Sequence, residues 1–356
     1  MDRKEFIRQS ALGLTGLILA HNTAAWTLPK ESFEGKILTV TGPIEPDDLG
    51  HCLTHEHLFS TFGGPPTDNP QYDVDHINRE VLPYLSYIKK LGIDSIVDST
   101  CCFFGRDPAL LHSLSVKSGL FILTNTGYYG AAHDRYVPKS AYSMSSRQIA
   151  QIWINEFKNG IDPTDIKPGY IKTAVDEGPL SDIDKKLVEA ACITHLETGL
   201  TMAVHTGDNI EAAKQEFAIL KDYGVNLEAW IWIHAQDVND ADFLLDVASK
   251  GAWISFDGLG IMRYDPNKKT YTGSNTLLNH FNKVKLFKEH GLLDKVLLSH
   301  DGDSYPLPAD DKRPYDVLVQ EFIPMLFAAG FTLDKVDTMT MDNPAKALTI
   351  GVRKNV

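Results

Sequence analysis

From residue 35 onward, short runs of apolar and β-branched residues alternate with longer stretches whose apolar positions recur at helical spacing. The short runs are His51–Leu58, Ser95–Thr100, Phe121–Gly127, Gly169–Ala174, Thr201–Gly207, Ala229–Ala235, Trp253–Gly258 and Val296–Gly302. Several are apolar almost throughout, the signature of strands buried on both faces. Between them, Val81, Leu85 and Ile88 mark one helix face, and Leu187, Ala190, Ala191 and Leu196 mark another. Eight strands separated by helices predict an α/β fold, a closed parallel (β/α)8 TIM barrel. An open doubly wound sheet is the competing topology, but no Gly-x-Gly-x-x-Gly or Walker-type loop follows any strand. The residues ahead of His51, including Lys36–Thr41, predict a small N-terminal β cap. Asn343-Pro344-Ala345 predicts a helix start, with Asn343 as N-cap and Pro344 at the first helical position, for a helix at the barrel's base or outside it.

The chain has 356 residues, 43% of them apolar and 23% charged, enough to bury a large core. That length alone suggests two domains, yet barrels reach it as one unit, and no repeat or low-complexity tract divides the chain. Residues 26–356 therefore read as a single barrel domain. The formal net charge of −13 argues against nucleic acid or an anionic membrane surface as a partner. Cys52, Cys101, Cys102 and Cys192 include no Cys-x-x-Cys pair and read as buried thiols. Residues 1–25 carry basic, apolar and small-residue regions in order: Arg3, Lys4 and Arg8, then Ala11–Ala20, then Thr23-Ala24-Ala25. This resembles a twin-arginine export signal with Lys4 at the second arginine, which predicts a periplasmic or secreted protein. The alternative is a cytoplasmic enzyme with an N-terminal extension. The apolar run is too short for stable membrane insertion.

Chemistry gathers at the strand ends. In Thr54-His55-Glu56-His57, alternate residues share a face, so His55 and His57 aim together while Glu56 turns away. His205 ends the fifth strand, His234 the sixth and Asp301 the eighth, each after an apolar strand body and before a loop, where barrel active sites assemble. One such histidine alone reads as a core or surface residue. Four at matched strand ends, with an aspartate on the last strand, point to a divalent-metal site. Lys172 lies inside the fourth strand, where an ammonium is costly unless paired. A carboxylate partner would resolve that cost, as would carbamylation by CO₂, which turns the amine into an anionic two-oxygen group.

This ordered set resembles the phosphotriesterase family of the amidohydrolase superfamily: His-x-His, a strand-four lysine, histidines on strands five and six, and a strand-eight aspartate. The likeness runs from Ile37 to Ala347 and includes Gly105-Arg106-Asp107, Thr126-Gly127-Tyr128-Tyr129 and Glu321-Phe322-Ile323-Pro324. It implies a metal-dependent hydrolase barrel with two divalent cations, Zn²⁺ first and Mn²⁺, Co²⁺ or Fe²⁺ also suited to the ligands. By that resemblance His55, His57 and Asp301 hold the more buried ion and His205 and His234 the more exposed one. N6-carboxylated Lys172 bridges them.

The resemblance also implies a water shared by the cations, acidified enough to attack a carbonyl or phosphoryl centre, with Asp301 accepting its proton. Tyr129 stands where the family sets an aromatic against substrate, and Arg263, after strand seven, is a candidate contact for a polar substrate group. Asp257 and Asp98 are carboxylates able to orient a ligand histidine, and His300 alternates away from Asp301 into a supporting position. The expected substrate is a small lactone, carboxyl ester or phosphotriester. The alternatives are cyclic-amide hydrolysis and a non-catalytic, metal-loaded binding protein. Homodimers are common in the family.

Overall fold

The apolar runs become strands because each alternates between two apolar surfaces, one inside a barrel and one beneath a shell of helices. The computed structural model describes residues 32–260, 276–303 and 315–355, with the backbone alone of 263–265 and 270–272. The export signal expected over residues 1–25 lies outside the described residues. Ile37–Thr39 (β1) and Gly42–Ile44 (β2) form an antiparallel hairpin ahead of the barrel, matching the expected cap. The barrel strands are Cys52–His57 (β3), Ser95–Asp98 (β4), Phe121–Leu123 (β5) with Asn125–Thr126 (β6), and Tyr170–Ala174 (β7). They continue with Met202–His205 (β8), Trp230–Ile233 (β9), Trp253–Phe256 (β10), and Val296–Leu298 with Gly302–Asp303. Between β10 and that last pair lies a short antiparallel hairpin, Arg263–Asp265 (β11) with Thr270–Thr272 (β12), so Val296–Leu298 is β13 and Gly302–Asp303 is β14.

All barrel pairings are parallel, in the order β14-β3-β4-β5 and β6-β7-β8-β9-β10-β13. The third and eighth strands are each interrupted, so each half bonds a different neighbour. Because β14 pairs with β3, the last strand meets the first and the sheet closes, which excludes the doubly wound alternative. Leu123, Ala203, Ile231, Ile233, Trp253 and Leu297 fill the interior, joined by Ile37 of the hairpin and by Ala347 and Leu348 of the last helix. The opposite strand faces, among them Leu53, Ile96, Ile171, Val204, Trp232 and Leu298, pack with the helices.

Among the described residues seven helices connect the strands: Val74–Lys90 (α1), Pro108–Ser118 (α2), Ser146–Asn159 (α3), Asp182–Thr198 (α4), Ile210–Asp222 (α5), Ala241–Ser249 (α6) and Leu277–Glu289 (α7). The predicted faces are the buried ones: Val81, Leu85 and Ile88 on α1, and Leu187, Ala190 and Ala191 on α4. Starts are capped locally. Ser181 accepts from Asp184 N–H while the Asp184 carboxylate accepts from Ser181 N–H, a reciprocal box at α4. Among the described residues no helix is long and apolar enough to cross a membrane.

One boundary differs from expectation. Asn343 is not an N-cap: it has helical φ and ψ and follows a π-helical turn, Thr338–Asp342, that continues a helix begun at Leu333. Its buried side chain instead donates to Leu293 O (2.8 Å) and Val296 O (2.7 Å), tying the last helix to the entry of β13. The cap preference of asparagine gives way here to two carbonyls supplied by a distant loop.

Glu216 on α5 is fully buried, and its carboxyl oxygens meet Thr206 Oγ1 at 3.1 and 3.0 Å. Burial raises this carboxyl to about 8. A raised carboxyl binds its proton more tightly in the fold, so the contribution is full below the unfolded value and fades as pH rises through the folded one. Glu216→Gln removes that dependence. Relative to this variant, the wild type is expected to lose on the order of a few kcal/mol of stability between about pH 5 and about pH 9. Denaturant melts of both proteins at the two pH values check this; a constant difference would show that Glu216 does not titrate in that window.

Candidate metal centre

In β3, Cys52 faces the interior and Leu53 the helices. Regular alternation from there would turn both histidines outward. However, Leu53 pairs with Ile96 while Glu56 pairs with Asp98, so β3 holds one extra residue as a bulge. The bulge inverts the alternation: His55 and His57 line the pocket at the barrel mouth, and Glu56 turns toward β14. Asp301, in the gap between β13 and β14, meets His55 Nε2 at 3.2 Å and His57 Nε2 at 3.3 Å through Oδ1. One ligand atom from each of these three residues lies within 4.8 Å of the others, a cluster able to hold a metal ion.

Across the pocket His205 ends β8 and His234 follows β9, with His234 Nε2 2.9 Å from His205 Nδ1. The His234 ring also lies edge-on to His55, centroids 5.2 Å apart, so the two halves adjoin. His234 and Asp301 both have left-handed backbone (φ +62° and +51°), a strained conformation that clusters at functional sites. Lys172, in the middle of β7, is 1% exposed, and its Nζ has no hydrogen-bond partner although it lines the same pocket. The neighbouring strand can reach it because residue 127 is glycine: a Cβ there would lie 1.8 Å from Lys172 O. Tyr129 Oη stands 3.3 Å from His205 Nδ1. Thus His55, His57, Lys172, His205, His234, Asp301 and Tyr129 share one pocket. The side chain of Arg263, on the first strand of the β11–β12 hairpin, lies outside the described residues.

Supporting bonds choose the imidazole tautomers. Thr100 gives its only hydroxyl hydrogen to Phe59 O (3.1 Å), so at 3.0 Å from His57 Nδ1 it accepts from that nitrogen. His234 Nδ1 meets Asp257 Oδ1 at 2.6 Å, and His55 Nδ1 lies 3.9 Å from Asp257 Oδ2. The Nε2 lone pairs of His57 and His234 are thereby left for the pocket. Asp257 fills the orienting position that its place on the seventh strand suggested. Asp98 acts one step further away, accepting from Leu58 N–H (2.9 Å) and Thr100 N–H (3.1 Å).

The charge states suit a cation. Burial, then the neighbouring Lys172, pushes His55 down to about 4; burial and His234 hold His205 well below its ordinary value. Burial alone would raise the Asp301 carboxyl, but the imidazoles of His55 and His57 against it outweigh burial and hold it well below its ordinary value. Burial also lowers the Lys172 amine. The lowered imidazoles of His55 and His205, the imidazole of His234 held upward by Asp257, a carboxylate and a desolvated amine with no partner form a nitrogen and oxygen donor set that fits divalent cations. Four pocket residues escaped the sequence reading: Ser60, Phe62, Phe104 and Asp303. Ser60, Phe62 and Asp303 lie a few residues from a ligand candidate, whereas Phe104 has no ligand position near it in sequence; loop geometry decided which residues turned inward.

A closed barrel with this donor set at the C-terminal ends of its strands defines a metal-dependent hydrolase. The model of the phosphotriesterase family matches residues 35–348, and the chain belongs to that family. It is 28% identical over 302 residues to the phosphotriesterase homology protein of Escherichia coli (strain K12), covering 84% of this chain and 98% of that one. It is 26% identical over 360 residues to the N-acetyltaurine hydrolase of Homo sapiens, covering 89% and 99%. The corresponding protein of Xenopus tropicalis is 26% identical over 355 residues, with the same coverage. Among solved structures, a resiniferatoxin-binding protein from Rhodobacter sphaeroides aligns with TM-score 0.76 and 24% identity, covering 90% of this chain and 96% of that one. A weak promiscuous lactonase template engineered toward organophosphate hydrolysis aligns with TM-score 0.76 and 24% identity, covering 89% and 100%. Both structural likenesses support the barrel fold.

Proposed function

We propose that this protein is a binuclear metal-dependent hydrolase of small neutral carbonyl compounds, with a lactone or carboxyl ester as substrate. The observation that carries this reading is Lys172: a buried, unpartnered amine in the same pocket as four histidines and Asp301. Its lowered basicity favours the free amine, the form that adds CO₂, and the resulting carbamate would turn an unpaired cation into an anionic ligand. His55, His57 and Asp301 would hold one ion, His205 and His234 the other, with carboxylated Lys172 shared between them. Two divalent cations bound there, Zn²⁺ first among the candidates, would supply Lewis acidity and an acidified water.

The chain's own groups do the rest. Asp301 accepts a proton and returns it to the leaving group. Asp257 and Thr100 hold two imidazoles in the ligating tautomer. Phe62, Phe104 and Tyr129 form an aromatic wall that excludes water from the substrate's apolar part, with Phe104 and Tyr129 ring centroids 5.1 Å apart. Burial raises the Tyr129 phenol above its ordinary value, so the hydroxyl keeps its proton and can donate to a substrate oxygen. Tyr129→Phe is therefore expected to leave metal content unchanged and slow lactone turnover about 10-fold, the scale of one lost hydrogen bond. Loss of metal instead would make Tyr129 a structural support for His205.

Amide hydrolysis is the second reading, favoured by full-length relatives named N-acetyltaurine hydrolases. The same attack on a carbonyl carbon serves it, provided Asp301 protonates the departing nitrogen. The deciding experiment measures metal per chain after purification in bicarbonate, then turnover on matched lactones, esters and N-acyl amides. About two ions with turnover supports the hydrolase, and the ester-to-amide ratio chooses the substrate class. A folded protein without stoichiometric metal would end the reading.

A further inference from the structure

We propose that Glu56 is a positioning residue that holds Asp301 in its ligating conformation, an inference that rests on the metal-dependent reading above. Glu56 is fully buried and turned away from the pocket, so any part it plays is exerted through another residue. Its carboxylate lies against the gap in the eighth strand, where Ser299–Asp301 separates β13 from β14. Oε1 accepts from Ser299 Oγ (2.7 Å), His300 N–H (3.1 Å) and His300 Nδ1 (2.7 Å), and Oε2 accepts from Gly302 N–H (2.6 Å). The residues immediately before and after Asp301 are thus both fastened to one carboxylate.

That arrangement answers a specific need. A non-glycine residue at φ +51° is unfavourable by about 1–2 kcal/mol, and the interrupted ladder leaves the peptide N–H groups of His300 and Gly302 without strand partners. Glu56 satisfies both, while Asp301 N–H donates to His55 O (3.0 Å). The left-handed turn is then the conformation in which every N–H of the gap is bonded, and it is the one that carries the Asp301 carboxylate to His55 and His57. His300 extends the clamp: its Nε2 accepts from Leu318 N–H (3.0 Å), so the hydrogen stays on Nδ1, directed at Glu56. The packing leaves no slack, since a Cβ on Gly302 would lie 2.8 Å from Glu56 Oε2 and 2.3 Å from the Tyr315 ring. Four donors and no acceptor surround the carboxylate, so an amide would set one NH₂ group against a donor whichever way it turned.

The test compares wild type with Glu56→Gln and Ser299→Ala, the second removing one donor to Glu56 together with the hydroxyl that accepts from His55 N–H (2.9 Å). Zn²⁺ affinity is measured by competition with a chromogenic chelator, and unfolding of the metal-free proteins is measured in parallel. Glu56→Gln is expected to weaken one of the two ions about 10–100-fold, the effect of losing an outer-sphere partner, and Ser299→Ala to weaken the same ion by a smaller factor. Lower stability of the metal-free variants with wild-type Zn²⁺ affinity would overturn the proposal, leaving Glu56 a purely structural residue. If Glu56→Gln does not fold, Ser299→Ala decides: unchanged affinity there also overturns it. A wild type that binds no stoichiometric Zn²⁺ would instead overturn the metal-dependent reading itself, so the two failures are distinguishable.

Discussion

Lys172→Ala is expected to release both metal ions and to lower turnover by at least about three orders of magnitude, because the acidified water depends on them. The argument starts from burial. Lys172 lines one pocket with four histidines and lies among the charges of Asp257 and Asp301, yet its Nζ has no hydrogen-bond partner. A structural lysine so placed would be expected to form an ion pair, since an unpaired buried cation costs several kcal/mol. A carboxylated lysine needs no such pair, because its partners would be the ions. Alanine at 172 would remove the oxygens that a carboxylated lysine offers to the ions, and it opens a cavity where the side chain stood. Short carboxylic acids that enter the cavity are expected to restore part of the activity. Metal analysis and turnover with and without propionate read both effects. Two tightly held ions in Lys172→Ala would overturn the bridging role.

Asp301→Asn is expected to lower kcat about 10²–10⁴-fold, the usual contribution of a positioned acid or base, while melting close to wild type. Asparagine is nearly isosteric and tolerates the left-handed conformation that Asp301 adopts (φ +51°), so the backbone of the gap should persist. Lost are the negative charge shared by His55 and His57 and the capacity to accept a proton. A variant that kept wild-type kcat with full metal content would assign proton transfer elsewhere. Mass action separates the two contributions: saturating Zn²⁺ should restore occupancy without restoring kcat.

Much of this site was legible before folding was considered. Ligand candidates stood at the ends of apolar runs, and barrel geometry brings such ends to one mouth, so His205 and His234 needed only the correct strand count. Lys172 was visible as a polar exception within Tyr170–Ala174. What remained hidden was local and irregular. Asn343 looked like a helix cap by residue type, but two carbonyls from the approach to β13 recruited it into a continuous helix. Phe62 and Phe104 carried no site signal in the sequence, although their rings lie 5.4 Å apart at the pocket.

Periodicity and strand-end chemistry, both short-range properties, determined from the sequence alone that this chain is an eight-stranded barrel with a metal-type donor set at one end. The tertiary structure decided which way those donors point. The bulge in β3 reverses the face that simple alternation from Cys52 would assign to His55 and His57. The interruption of the eighth strand turns Asp301 into a left-handed conformation, and Asp257 and Thr100 select the histidine tautomers. Each of these depends on partners distant in the chain, as far as the 246 residues separating Glu56 from Gly302. A residue's hydrophobic period records whether it is buried, whereas the hydrogen bond that fixes its orientation exists only once the strands have met.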